Sequence, residues 1–474
     1  MVLKIYNTLG REKQEFKPLE DGKVTFYHCG PTVYSQQHIG NLRGAFCADS
    51  IRRSFEYLGY DVNFVSNYTD VGHLTSDGDG GEDKMEKGSK KEGLSPAEIT
   101  NKYIKIYEQD AADLNITSPT TRCLATNYIS EMIDMVQTLL DKGFAYTTSL
   151  AIYFDTSKLE NYTQLSGQKI EDLMTGAGTG TANDEQKKQS TDFVIWFFKA
   201  GEHKNALQNW PSPFQSPLVE NGDGFPGWHI ECSAMAKKHL GDTIDVHMGG
   251  IEHIPTHHTN EIAQSESAND KKYVNYWLHN EHLGFDGGKM SKSLGNVVFL
   301  EEIKKKGFSS LALRFLFSQT HYRSKQNFTW EALEAAQNGL DHLFNQISEL
   351  GKETGEVSKD YQEKFKEKIS DDFNLPQSLV VLQELLKSDL SNKDKLATVL
   401  DLDKVLGLKL KESNHSHQEL EFGKLPEDIQ GLIKEREQVR SEKNWVRSDD
   451  LRDIIQNLGY LIKDTSKGTE IFGK

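Results

Sequence analysis

Cysteine is scarce in this chain of 474 residues: Cys29, Cys47, Cys123 and Cys232 are its only four, and they lie far apart. So few and so dispersed, they do not form a disulfide framework, and reduced thiols are expected. Long apolar runs are also missing. The segment Met1 to Asn7 reads as a strand, too short and too polar for a signal peptide or a membrane span. With a mean hydropathy of −0.61, this predicts a cytoplasmic protein with no membrane partner. Positive charge is in deficit as well, with 55 Lys and Arg against 71 Asp and Glu and a formal net charge of −16. That deficit does not exclude a polyanionic partner, because attraction to phosphate is local and needs basic stripes rather than a basic total. No repeat of fixed period is visible.

The length allows two to four domains and at least one sizeable core. Near the start, Val24 to Cys29 reads as an apolar strand that Gly30-Pro31-Thr32 breaks. A helical run from Asn41 to Leu58 and a second strand, Asp61 to Ser66, follow. This is a βαβ pattern, and it predicts a doubly wound nucleotide fold. Thr75 to Gly93 is rich in Gly, Asp and Lys and reads as a flexible loop. A helix from Thr126 to Lys142, ended by Gly143, leads into short strands such as Ala151 to Phe154. Within that region, Thr175 to Thr191 has the composition of a disordered loop. Thr243 to Met248 is the next strand, and His257 with Glu261 lie on a helix behind a Thr256 cap. From about 309 to 410 the apolar period is helical, through Leu311, Leu313, Phe315 and Leu316, then Leu333, Leu340, Leu343, Phe344 and Ile347. After the polar linker Lys411 to Gly423, the last unit reads as a helix carrying Arg436, Arg440, Trp445, Asp449 and Arg452, followed by a β end.

Two short segments carry chemistry. His38-Ile39-Gly40-Asn41 falls where the first helix begins, so free amides and the positive end of the helix dipole are offered to a phosphate. Gly40 lets a nucleotide approach the backbone closely. Lys289-Met290-Ser291-Lys292-Ser293 lies between glycines and reads as a loop able to bring two ammonium groups over a triphosphate. Either segment alone is equally consistent with an ordinary helix start or a solvated loop. A third constellation, Cys29, Cys232, His257 and Glu261, offers two thiolates, an imidazole and a carboxylate, a donor set suited to zinc. The four-residue spacing of His257 and Glu261 would also suit a surface pair.

Together and in this order, the two segments resemble the HIGH and KMSKS signatures of class I aminoacyl-tRNA synthetases. Asn41 departs from the usual final histidine, though an amide can still donate a hydrogen bond. Three further stretches resemble the cysteinyl-tRNA synthetase family: Cys29 to Tyr34, Gly227 to Met235, and His257 to Gln264. The resemblance runs over nearly the whole chain.

What it implies is specific. The fold is α/β: a Rossmann-like, HUP-type class I catalytic domain split by an insertion, then a helical bundle and a small α+β anticodon-binding domain. The expected boundaries are 1–115 and 216–285 for the catalytic halves, 116–215 for the insertion and 286–320 for the KMSKS loop and stem-contact region. The bundle is expected at 321–410 and the anticodon domain at 424–474. The implied reaction is cysteine activation by ATP, with Mg2+, and transfer to the 3′ end of tRNA(Cys). His38, Asn41, Lys289 and Lys292 are the implied catalytic residues, and together with Gly40 they bind ATP.

One Zn2+ per chain is implied on Cys29, Cys232, His257 and Glu261, where it would select a thiolate over the near-isosteric hydroxyl of serine. Trp228, Thr69, His229 and His247 are implied at the cysteine pocket. For Thr69 a local cap, and for the histidines a core hydrogen bond, remain alternatives. Arg440, Asp449 and Asp464 are implied anticodon contacts, with a solvated helix face as the alternative. Trp445 is expected in that domain's small core. A monomer is expected. Two other readings stay open: a cysteine:amino-sugar ligase using the same pocket, and a non-catalytic RNA-binding paralogue.

Overall fold

The structure is a computed structural model that describes residues 2–71, 74, 83–168, 184–285, 287–289, 297–414, 420–442, 444–465 and 468–473. An N-terminal hairpin, β1 (Lys4–Asn7) and β2 (Glu12–Glu15), precedes the first core strand, β3 (Lys23–His28). The helix Ile39–Tyr57 and β4 (Asp61–Tyr68) follow, and β5 (Thr121–Leu124) ends the first half. A four-stranded antiparallel sheet then interrupts the fold, with β6 (Ala145–Thr147), β7 (Ala151–Phe154), β8 (Phe193–Phe198) and β9 (Gly224–Pro226) in sequence order. The second half adds β10 (Ile244–Gly250) and β11 (Val274–Asn280).

Both halves share one parallel sheet of order β11-β10-β3-β4-β5. β10 registers on β3 through His247 opposite Tyr27, so residues 220 positions apart in the chain become sheet neighbours. The chain reverses direction across the sheet between β3 and β10, and in open parallel sheets ligands bind at the carboxyl ends of strands flanking such a point. Cys29 and Gly30 follow β3 there. A Cβ on Gly30 would lie 1.6 Å from the Asn67 carbonyl oxygen, so glycine is required for this close approach to β4.

One apolar cluster joins one side of the sheet to the helices after residue 300, through Phe46, Phe317, Leu340 and Leu402 among others. A second joins the other side to the inserted sheet, through Tyr27, Trp196, Cys232 and Trp277. A small third core, Leu425, Ile429, Ile433, Ile455, Ile462 and Ile471, belongs to the C-terminal unit. No helix among the described residues is long and apolar enough to cross a membrane, and the four cysteines are free.

Several local expectations need correction. Lys84–Glu92, read as part of a flexible loop, is a helix: Asp83 caps its first amides and Gly93 closes it at φ +68. Composition hid it, because a short polar helix buries only Met85, Gly88 and Ser89. Thr75 to Glu82 lie outside the described residues. Thr256 sits at the N-cap position, yet its side chain makes no cap hydrogen bond. The run expected as one helix through Arg440 and Trp445 is two, Glu427–Ser441 and Trp445–Asn457, ahead of a terminal hairpin of the strands Tyr460–Thr465 and Gly468–Gly473. Trp445 is 58 % exposed and therefore not part of that unit's core. Ile429, Ile433 and Ile455 fill the core instead.

Candidate active site and metal centre

His38 caps the helix Ile39–Tyr57. Its Nδ1 accepts from the Gly40 amide at 3.1 Å, and the Asn41 side-chain oxygen accepts from the His38 amide at 3.3 Å, a reciprocal capping box. A neutral ring with Nδ1 as acceptor carries its proton on Nε2, next to the first amides of the helix. No acidic side chain lies in the first turn to offset the dipole. Asn41 thus has a structural role: its amide performs half of the cap while its side chain stays at the surface.

Described residues on either side of the KMSKS stretch reach this same helix. Before it, β12 (Leu283–Phe285) pairs with β13 (Gly288–Lys289), and after it the Val298 carbonyl accepts from the Ile39 amide at 2.9 Å. Arg43, fully buried one turn into the helix, donates to the carbonyls of Glu281 and Ser324 and, at 3.0 Å, to Gln326 Oε1. The Lys289 backbone belongs to β13; its side chain and all of Lys292 lie outside what is described.

Four elements build the metal pocket. Cys29 comes from the end of β3, and Cys232 from the helix Trp228–Leu240. His257 and Glu261 lie one turn apart on the helix His257–Asn269. His247 enters from β10. Cys29 Sγ lies 3.9 Å from both Cys232 Sγ and Glu261 Oε1, and His257 Nε2 lies 3.1 Å from Glu261 Oε1. The ligand atoms of Cys29, Cys232, His257 and Glu261 all fall within 4.8 Å of one another. Two sulfurs, an imidazole nitrogen and a carboxylate oxygen at that spacing fit a tetrahedral zinc set.

The electrostatics match. Burial disfavours charge on Glu261, yet the imidazoles of His247 and His257 outweigh it and hold the carboxyl well below the usual carboxylate range. Burial also pulls His257 down, but Glu261 and the bond to Cys232 raise it to about 10. The contact with Cys29, helped by His257, lowers Cys232 to about 6 against burial, while burial pushes the Cys29 thiol well up.

The residues expected at the cysteine pocket surround this set in two positions. Trp228, half-buried, stacks on the His257 ring at 4.2 Å, and His229 Nδ1 lies 2.9 Å from His257 Nδ1. His247 stands behind the carboxylate, its Nε2 2.9 Å from Glu261 Oε2. Thr69 is buried, donating to Glu231 Oε2 at 3.0 Å and accepting from the Asn67 amide at 3.0 Å. Sequence reasoning missed His258, Tyr273 and His279. Tyr273 donates to Glu261 Oε2 at 3.2 Å, and His258 Nε2 lies 3.3 Å from Cys29 Sγ. Adjacency to His257 was the available signal for His258. Gly249 makes room for it, since a Cβ there would lie 2.7 Å from its ring.

In the C-terminal unit Asp464 receives Arg436 through both guanidinium nitrogens, at 2.9 and 2.8 Å, together with Arg440 and Arg452. Asp449 is exposed, as are Trp445 and, at 77 %, Val446.

Comparison with known proteins agrees with this geometry. Residues 15–338 match the family model for class I (C) tRNA synthetase catalytic domains, and residues 423–471 match the cysteinyl-tRNA ligase anticodon-binding domain. The chain is 41 % identical to the cysteine–tRNA ligase of Treponema denticola, covering 99 % of each. It is also 41 % identical to cysteine–tRNA ligase 1 of Burkholderia lata, over 100 % of this chain and 97 % of that one. Among solved structures, it resembles Mycobacterium tuberculosis methionyl-tRNA synthetase bound by methionyl-adenylate. There the TM-score is 0.55 at 14 % identity, covering 84 % of this chain and 92 % of that one. The LeuRS of Agrobacterium radiobacter K84, in its ternary complex with tRNA and LeuAMS, gives 0.59 at 13 %, over 84 % and 85 %. At those identities the two structures speak for the fold.

Proposed function

This chain belongs to the cysteine–tRNA ligase family of class I aminoacyl-tRNA synthetases, and on that footing we propose that it activates L-cysteine with ATP and transfers it to tRNA(Cys). The observation that carries the reading is the convergence of Cys29, Cys232, His257 and Glu261, drawn from both halves of one sheet, within 4.8 Å. These four would hold one zinc ion. Bound there, zinc supplies a borderline-soft acid that favours a thiolate strongly over a hydroxyl. Trp228, against His257, walls the amino acid side of the pocket, with Thr69, His229 and His247 around it.

Activation needs no covalent nucleophile from the protein. The cysteine carboxylate attacks the α-phosphate, pyrophosphate leaves, and charge gathers on the phosphoryl oxygens. His38 Nε2–H, the free amides near Gly40 and the ammonium groups of Lys289 and Lys292 are the donors we assign to those oxygens, with Asn41 fixing His38. Mg2+ accompanies ATP. Arg440, Asp449 and Asp464 are assigned to the anticodon, and the exposed Trp445 is available to stack on an unpaired base. We take the enzyme to act as a cytoplasmic monomer.

ATP–pyrophosphate exchange run beside charging of tRNA(Cys) tests the reading. Exchange that depends on cysteine, with attachment of cysteine to the tRNA, is expected. Exchange without charging would instead identify a ligase for a small amine, and no exchange a binding protein.

A further inference from the structure

The four residues read from the sequence are not the only set in this pocket able to hold an ion. Cys29, His247, His258 and Glu261 form a second group whose ligand atoms also lie within 4.8 Å of one another. We propose that this group is a second seat for a borderline divalent cation, sharing Cys29 and Glu261 with the first and using His247 and His258 in place of Cys232 and His257.

Helix spacing makes both seats reachable. His257 and His258 lie four and three residues before Glu261, so both reach its carboxyl group. The carboxyl group stands between them: Oε1 lies 3.1 Å from His257 Nε2, and Oε2 lies 2.9 Å from His247 Nε2. Cys29 stands between them as well, its sulfur 3.9 Å from Cys232 Sγ and 3.3 Å from His258 Nε2. The seats differ in their surroundings, although His258 Nε2, like His257 Nε2, faces Glu261 Oε1, at 3.9 Å. His257 is stacked by Trp228, whereas His247 and His258 pack on Trp277 with ring centroids at 4.7 and 4.9 Å.

His258 is also backed as ligating imidazoles are. A metal-bound histidine typically donates its other ring N–H to an outer partner, which fixes its tautomer. His258 Nδ1 lies 2.7 Å from His279 Nε2, and His279 Nδ1 lies 2.8 Å from Thr8 Oγ1. When His258 donates to His279 and His279 to Thr8, every ring nitrogen in the chain is used except His258 Nε2, left as a lone pair facing Cys29. His257 has the matching device in His229. On the other ligand of the seat, His247 Nδ1 is buried with no hydrogen-bond partner among the described residues.

The donor sets differ in softness. The first has two sulfurs, and the second has one sulfur with two imidazoles, a set equally suited to zinc, cobalt or nickel. Because both draw on Cys29 and Glu261, they hold one ion between them, and an ion displaced from Cys232 and His257 stays in the pocket. The inference does not depend on which amino acid the enzyme uses.

Cobalt(II) substitution of the full-length chain tests it. In Cys232→Ala, about one cobalt per chain is expected to remain, with thiolate-to-metal charge transfer at roughly half the wild-type intensity because one Co–S bond replaces two. Adding His258→Ala to that variant is expected to weaken cobalt binding by at least about tenfold. Cys232→Ser, which preserves side-chain volume, is to behave as Cys232→Ala. A Cys232 variant with wild-type circular dichroism that binds no cobalt overturns the proposal. So does a Cys232/His258 double variant that holds cobalt as tightly as the single one.

Discussion

Glu261 and Asp464 are the acidic centres of two clusters in this molecule. Glu261 is fully buried, and its partners are neutral or titratable groups: three histidines, a tyrosine and a thiol from several elements of the catalytic fold. Asp464 is about a fifth exposed, and three permanent cations from two neighbouring helices converge on it. The buried cluster can exchange its protons for a metal ion, whose two positive charges offset most of the charge on its thiolates and carboxylate. The outer cluster cannot. Its arginines converge on one carboxylate, while Trp445 and Asp449 are exposed on the helix Trp445–Asn457. The pocket carries a donor set suited to coordination, whereas the terminal unit, which matches an anticodon-binding domain, carries clustered guanidinium groups and an exposed aromatic ring.

Substitutions that break one region and spare the other sharpen this contrast. The largest effect is expected from Cys29→Ala. Cys29 belongs to both metal seats, so bound zinc should be lost on elemental assay and cysteine-dependent exchange should fall on the order of 10^4-fold, the scale of losing a dedicated polar partner in a discriminating site. Arg43→Lys should come next. A lysine cannot reproduce the fork that ties the Glu281 and Ser324 carbonyls and Gln326 to the helix of His38, and misplacement of that order costs about a hundredfold in kcat/KM for ATP. Zinc content and KM for cysteine should not change. A proportional rise in both KM values would mean that Arg43 only supports the fold.

Trp445→Ala should leave exchange untouched and lower kcat/KM for tRNA charging roughly tenfold, since a stacked base contributes about 1–3 kcal/mol. The smallest effect is expected from Asp464→Asn, measured as acid unfolding. The bonds from Arg436, then Arg440 and Arg452, hold this carboxyl at about 2. Its folded value lies below the ordinary 3.8, so its stabilisation is complete above that pH and is lost as pH falls through about 2. The variant should lose about 1–3 kcal/mol at neutral pH and show less acid dependence between pH 4 and 2.

Much of this was legible in the sequence, and the limits have physical causes. His38 and Gly40 announce themselves because a strand, a turn and a helix start are adjacent in the chain. Cys29, Cys232, His257 and Glu261 sit in recognisable runs, and a shared sheet follows from requiring them to meet. His258 and His279 were not legible as partners, because one lies on the helix His257–Asn269 and the other on β11, and only the packing of that helix on the sheet brings them together. The helix Lys84–Glu92 escaped because its lysines and glycine resemble loop composition, while its caps, Asp83 and Gly93, act only in three dimensions. Trp445 was read inward on the strength of its apolar ring. A fifty-residue unit has little core to offer, and its isoleucines had already filled it.

Direct recognition of the substrate sulfur by the metal is open to one spectroscopic titration. Cobalt-substituted full-length protein is titrated with L-cysteine and, separately, with L-serine, following the thiolate-to-cobalt charge-transfer band. Cysteine should raise that band saturably as a further sulfur joins the ion, and serine should leave it unchanged. A band unmoved by cysteine at concentrations that support exchange would contradict the account.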